Sequence, residues 1–98
     1  MKEPAYTRAI NLMEAELGDE LVALDPDGGH CFGFNGVATS IWRRLARPLT
    51  FDELRNALLD EYDVSREECT TELRALLDDL VARGLVTTID SVRNNSRE

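Results

Sequence analysis

Two stretches of this sequence begin with the same four-residue helix-start signal, and a stop signal follows the second. Thr50 with Glu53, and Ser65 with Glu68, each form the pattern of a capping box. In that box the hydroxyl accepts from a backbone N–H three residues on, and the glutamate accepts from the backbone N–H of the capping residue. Gly84 suits the left-handed position just beyond a helix end. The signals predict one helix from about residue 51 and a second over residues 66–83.

Other residues predict a further helix before these two and support the last of them. Asn35 is a good N-cap for a helix over residues 36–46, which Pro48 would stop. Its apolar stripe would consist of Val37, Ile41, Trp42 and Leu45. The last helix carries apolar residues at helical spacing, namely Cys69, Leu73, Leu76, Leu77 and Leu80. We therefore expect three helices between residues 36 and 84.

The segment before the helices alternates with a period of two, which is typical of β-strands. Apolar and acidic residues alternate over residues 13–17, the chain can reverse at Gly18-Asp19, and a second apolar strand covers residues 20–24. A Pro- and Gly-containing turn over residues 25–29 leads to a third strand, His30–Phe34. The alternation places Phe32 and Phe34 on one face, which we assign to the core.

The fold class that follows is α+β: an N-terminal three-stranded antiparallel β-meander followed by a three-helix domain of the winged helix-turn-helix kind. Residues 85–89 are β-branched enough for a closing strand, and residues 90–98 form a polar tail that we expect to be disordered. With 98 residues, the chain predicts a single domain over residues 1–89.

Composition excludes several classes of function. The formal charge of −8 makes nucleic acid and anionic membranes poor partners. Neither a secretory signal nor a membrane-spanning run is evident, so we expect a cytoplasmic protein. Two widely separated cysteines and one histidine match no metal-ligand spacing, and His30 and Cys31 would point to opposite faces of a strand. We therefore predict neither an enzyme nor a cofactor.

Three functions of other kinds remain open. A winged-helix domain could bind DNA, although its third helix would be acidic here. The exposed edge of the third strand could accept an extended peptide through main-chain hydrogen bonds. The same edge could instead pair with a second copy, and we expect a monomer or a weak dimer.

A family resemblance favours the peptide. The segment from Leu24 to Ala38, followed by Ile41-Trp42, resembles the PqqD family, and the similarity continues through residues 49–54, 62–64 and 76–85. It covers about residues 12–89. The resemblance implies a RiPP recognition element, a non-catalytic domain that binds the leader region of a ribosomally made precursor peptide and presents it to a modifying enzyme or leader peptidase.

The resemblance also implies where the leader would bind. It would lie antiparallel along the third strand, between that strand and the third helix. The residues implied are His30, Cys31, Phe32, Gly33 and Phe34 on the strand, and Leu73, Arg74, Leu77, Asp78 and Val81 on the helix. We favour the lasso-peptide type of pathway, and the alternative is a peptide chaperone for a radical SAM enzyme in quinone cofactor synthesis.

Overall fold

The computed structural model describes residues 4–18 and 20–90, and it is built from six strands and three helices. The strands are β1 (Pro4–Arg8), β2 (Met13–Leu17), β3 (Glu20–Leu24), β4 (Cys31–Phe34), β5 (Leu49–Thr50) and β6 (Val86–Asp90). The helices are α1 (Gly36–Arg44), α2 (Phe51–Glu61) and α3 (Arg66–Ala82). No helix in the described part of the chain is long and apolar enough to cross a membrane.

The predicted meander is present as one antiparallel sheet with the order β2-β3-β4. Gly18, at φ +66°, lies in the first turn, whereas Asp19 lies outside the described residues. In the second turn the carboxylate of Asp25 accepts from the Asp27 N–H at 3.0 Å, and Gly29 adopts φ +71°. Turn chemistry therefore fixes both reversals where the sequence predicts them.

A second antiparallel sheet, β5-β1-β6, was not predicted, so the meander is only part of the β-structure. The closing strand pairs along its whole length with β1, from Pro4 opposite Asp90 to Arg8 opposite Val86. Neither β1 nor β5 has a recognisable strand pattern, since β1 begins with proline and β5 has only two residues. Long-range pairing, rather than local preference, makes these segments strands.

The helix-start signals operate as predicted, with one difference. Thr50 and Glu53 form both bonds of the capping box at α2. At α3 the Ser65 hydroxyl accepts from the Glu68 N–H at 3.1 Å, but the return bond from the Glu68 carboxylate is not formed. Asn35 caps α1 by accepting from the Ala38 N–H at 2.9 Å.

The end of α3 is a Schellman motif centred on Gly84, at φ +78°. The Leu85 N–H donates to the Leu80 carbonyl at 3.0 Å, and the Gly84 N–H donates to the Val81 carbonyl at 3.0 Å. The motif turns the chain directly into β6, which covers Val86–Asp90 rather than the predicted residues 85–89.

One apolar core joins the meander to the helices. Its members include Leu21, Ala23 and Phe34 from the sheet and Ile41, Trp42, Leu45, Leu54, Leu73, Leu77 and Leu80 from the helices. Phe34 stacks on Trp42, with ring centroids 5.5 Å apart and planes 20° from parallel. The meander is therefore attached to α1 through its last strand.

Three other element predictions need correction. Val37 is exposed rather than part of the buried stripe of α1, where Ala38 is buried instead. α1 ends at Arg44, two residues before the predicted end, and β4 begins at Cys31 rather than His30. The predicted polar tail lies, from residue 91, outside the described residues.

Candidate functional site

β4 is one of the two edge strands of the meander among the described residues, the other being β2. The backbone groups of β4 divide into two sets. The Asp25 N–H donates to the His30 carbonyl at 2.8 Å, just beyond the ladder that pairs Leu24 with Cys31 and Ala23 with Phe32. Asp25 and His30 thus form a hydrogen-bonded pair, and such pairs alternate along an antiparallel ladder with pairs that are not hydrogen-bonded, so Ala23 with Phe32 is the next hydrogen-bonded pair. The N–H and C=O groups of Phe32 and Phe34 therefore point to β3, and those of Cys31 and Gly33 point to the open edge.

The side chains of β4 hold that edge in place. Phe34 is buried and Phe32 is half-buried, so both phenylalanines lie on the core side as predicted. The Thr39 hydroxyl, itself buried, donates to the Phe34 carbonyl at 3.1 Å and connects the strand end to α1. An edge anchored in this way is already extended before any partner arrives, which lowers the entropy cost of strand addition.

A groove of about 250 Å³ separates β4 from α3. Its wall on the sheet side is β4 itself, from Cys31 to Phe34, and α1 closes one end through Ala38. On the helix side it is lined by Leu76, Asp79, Leu80 and Arg83. A narrow trough with an open strand edge on one wall and a mixed apolar and charged helix on the other has the shape required for an extended peptide.

The charged part of the helix wall is an ion pair within α3. Arg83 Nε and Asp79 Oδ2 are 2.9 Å apart, and both side chains are more than half exposed. An exposed pair one helical turn apart contributes only about 0.5 kcal/mol to stability. Either charge can therefore turn to a charged group on a ligand at little cost.

The structure brings the predicted strand residues to the groove, apart from His30, but not the predicted helix residues. Leu73 and Leu77 are each 1% exposed and belong to the core. Arg74 lies over the ring of Phe51, 4.3 Å from its centroid. Asp78 and Val81 are exposed and do not line the groove.

Helical geometry explains why the groove is lined by other residues of α3 than the predicted ones. With Leu73 and Leu77 pointing into the core, residues 74, 78 and 81 lie to one side of that direction and residues 76, 79 and 83 lie to the other. The sheet packs beside the second set. The i, i+3, i+7 spacing of Leu76, Asp79 and Arg83 was visible in the sequence, but it did not reveal which flank of the helix meets β4.

The two thiols occupy different environments. Cys31 is exposed on β4, whereas Cys69 is buried at the start of α3 and its Sγ faces the Arg55 carbonyl at 3.9 Å. Burial raises the pKa of the Cys69 thiol. Among residues 4–18 and 20–90, no three side chains of His, Cys, Asp or Glu converge as a metal site would require.

The fold and this groove define a class of domain: a β-meander with one edge open beside a helix of an attached helical unit. The sequence model described as "Coenzyme PQQ synthesis protein D (PqqD)" matches residues 20–86, which is more than half of the chain. The chain belongs to the PqqD family, and the resemblance drawn from the sequence is confirmed.

A solved structure supports the same assignment. The structure "TbiB1 in Complex with the TbiA(beta) Leader Peptide" aligns with a TM-score of 0.72 and 29% sequence identity. The alignment covers 82% of this chain and 93% of TbiB1. Among curated proteins, no sequence matches the chain.

Proposed function

We propose that this protein is a non-catalytic recognition element that binds the leader region of a ribosomally made precursor peptide by strand addition to β4. Membership of the PqqD family and similarity to a protein solved with a leader peptide support this role. The observation that carries it is the open edge of β4, where the Cys31 and Gly33 backbone groups face a groove beside α3.

The leader would contribute a short antiparallel strand to the order β2-β3-β4. Cys31 and Gly33 would exchange main-chain hydrogen bonds with alternate leader residues. Successive leader side chains would point alternately toward the groove and away from it. Leu76 and Leu80 would contact an apolar leader residue, and Asp79 and Arg83 would pair with charged ones. Strand addition thus supplies affinity, and the helix wall supplies sequence preference.

The groove favours a partly revised set of leader contacts. We keep Cys31 to Phe34 from the sequence-based set and place the helix contacts at Leu76, Asp79, Leu80 and Arg83. Arg74, Asp78 and Val81 are on the far flank of α3, so their participation would require a leader that wraps around the helix.

The bound leader would be presented to a modifying enzyme or a leader peptidase. We favour the lasso-peptide type of pathway, with the peptide chaperone of quinone cofactor synthesis as the alternative. The neighbouring genes discriminate between them, because a cyclase with a transglutaminase-like protease indicates the first and a radical SAM enzyme the second.

A proline substitution tests strand addition. Cys31→Pro removes an N–H that faces the open edge, whereas Cys31→Ala keeps that N–H and changes only the side chain. With the leader encoded beside this gene, calorimetry should give a dissociation constant raised about tenfold for Cys31→Pro and little changed for Cys31→Ala. Equal affinity of the two variants, with both folded by circular dichroism, would contradict strand addition.

A further inference from the structure

The outer face of the meander is the part of the structure that leader binding leaves unexplained. On the side away from the helices, the three strands present a continuous set of apolar side chains. They are Met13, Ala15 and Leu17 from β2, Val22 and Leu24 from β3, and Cys31 from β4. Met13 is 62% exposed and Leu17 is 66% exposed. We call this set the outer face.

The polarity of β2 is the reverse of what an exposed sheet normally shows, where polar residues face water. Its glutamates point toward the helices, where Glu14 is held firmly and Glu16 forms an exposed ion pair. Glu14 accepts from the Trp42 indole at 2.8 Å, and Glu16 pairs with Arg43 at 2.6 Å. A shift of one residue would exchange the two faces and break both contacts. The apolar residues are therefore fixed outward by the fold.

The acidic residues around the outer face indicate what kind of partner it would bind. The segment from Met13 to Phe34 contains six acidic residues and no lysine or arginine. Glu14 and Glu16 are paired inward, but Glu20 shares the outer face, and Asp25 and Asp27 lie in the turn at its other end. Within residues 4–18 and 20–90, Glu20, Asp25 and Asp27 form no ion pair. An apolar centre beside such carboxylates is complementary to an apolar patch flanked by lysine or arginine.

Size and position argue against a second copy and for a protein that also reaches the leader. Three strands of about five residues make a sheet face on the order of 250 Å², whereas a stable complex buries about 800 Å² on each partner. The outer face alone is therefore too small for a stable complex with a second copy or with any other protein, so its partner must also contact the neighbouring β4 edge or the leader bound there. It is continuous with the β4 edge through Cys31, so a partner seated on it would lie beside a leader bound there.

We propose that the outer face docks the enzyme that acts on the bound leader, through an apolar patch on that enzyme flanked by basic side chains. The proposal rests on the proposed function, since the leader places the enzyme's substrate next to this surface. The two interactions use different groups: main-chain atoms and the groove hold the leader, and outward side chains hold the enzyme.

The test compares two neutral substitutions on the outer face with one elsewhere. Met13→Gln combined with Leu17→Gln removes apolar area without changing net charge. Ile89→Gln makes the same kind of change at a 42% exposed strand residue in the other sheet. The probes are the leader peptide and the purified processing enzyme encoded beside this gene, each titrated by biolayer interferometry.

The double variant should bind the leader as the parent does and bind the enzyme at least about tenfold more weakly, while Ile89→Gln changes neither. Enzyme affinity unchanged in the double variant would overturn the docking face. A parent dimer in light scattering that the double variant abolishes would also overturn it, in favour of a second copy. Absence of leader binding to the parent would instead overturn the proposed function, while the enzyme affinities still decide the docking face.

Discussion

The indole N–H of Trp42, a fully buried residue of α1, donates a 2.8 Å hydrogen bond to Glu14 Oε2 on β2. Arg8 approaches the same carboxylate oxygen at 3.6 Å and lies over the Trp42 ring at 4.5 Å. Arg8 Nη2 also donates to the Trp42 carbonyl at 2.7 Å. These contacts connect both sheets to one helix and set which face of the meander meets the core.

Removing the Glu14 carboxylate should therefore destabilise the fold. Glu14→Ala leaves the Trp42 N–H without its acceptor, so we expect the free energy of unfolding to fall by about 1–2 kcal/mol. Glu16→Ala is the matched control, because its pair with Arg43 is exposed and should contribute less than about 0.5 kcal/mol. Urea denaturation measures both values, and equal losses would contradict the role assigned to Glu14.

A second prediction concerns Glu61. The Ser40 hydroxyl, which donates to Glu61 Oε1 at 2.6 Å, is the largest cause of a lowered pKa of that carboxyl. Burial opposes it as the next largest cause, and Arg44 lowers the pKa further by a hydrogen bond and by its charge. The lowered pKa means that Glu61 stabilises the fold above its unfolded pKa of about 4.3, and that this contribution is lost as the pH falls through the folded value.

Ser40→Ala should raise the pKa of Glu61 toward its ordinary value, as followed by carbon-detected NMR of the carboxyl group. Thr70→Ala removes another helix hydroxyl, one that donates to the Arg66 carbonyl, and should leave the Glu61 titration unmoved. A Glu61 titration that is the same in Ser40→Ala and the parent would show that the hydroxyl is not the cause.

Two adjacent aspartates discriminate between the groove seen in the structure and the helix residues implied by the family resemblance. Asp79 lines the groove, whereas Asp78 is exposed on the other flank of α3. We expect Asp79→Asn to change leader affinity about three- to tenfold and Asp78→Asn to have little effect. Calorimetry with the leader measures both, and the opposite order would restore the sequence-based assignment.

Local signals accounted for most of the helices and for the meander. Thr50, Ser65, Asn35 and Gly84 act through neighbouring backbone groups, so their effect can be read from a few consecutive residues. The alternation over residues 13–17 likewise predicted β2. It did not show that the glutamates face inward, because that depends on Trp42 and Arg43 in a distant helix.

The elements that were missed depend on long-range contacts. β1 has no local strand pattern and forms because β6 and β5 pair with its two sides. The helix wall of the groove was missed for a related reason. The spacing of apolar residues in α3 identified its buried side. Which of the two flanks beside that buried side meets β4 is determined only by the packing of the whole sheet.

Amide hydrogen exchange with and without the leader tests the central claim most directly. In the free protein the Cys31 and Gly33 amides should exchange faster than those of Phe32 and Phe34, because only the latter pair point to β3. Saturation with leader should slow exchange at Cys31 and Gly33 and change Phe32 and Phe34 much less. Unchanged exchange at both Cys31 and Gly33 in the saturated complex would contradict leader capture at this edge.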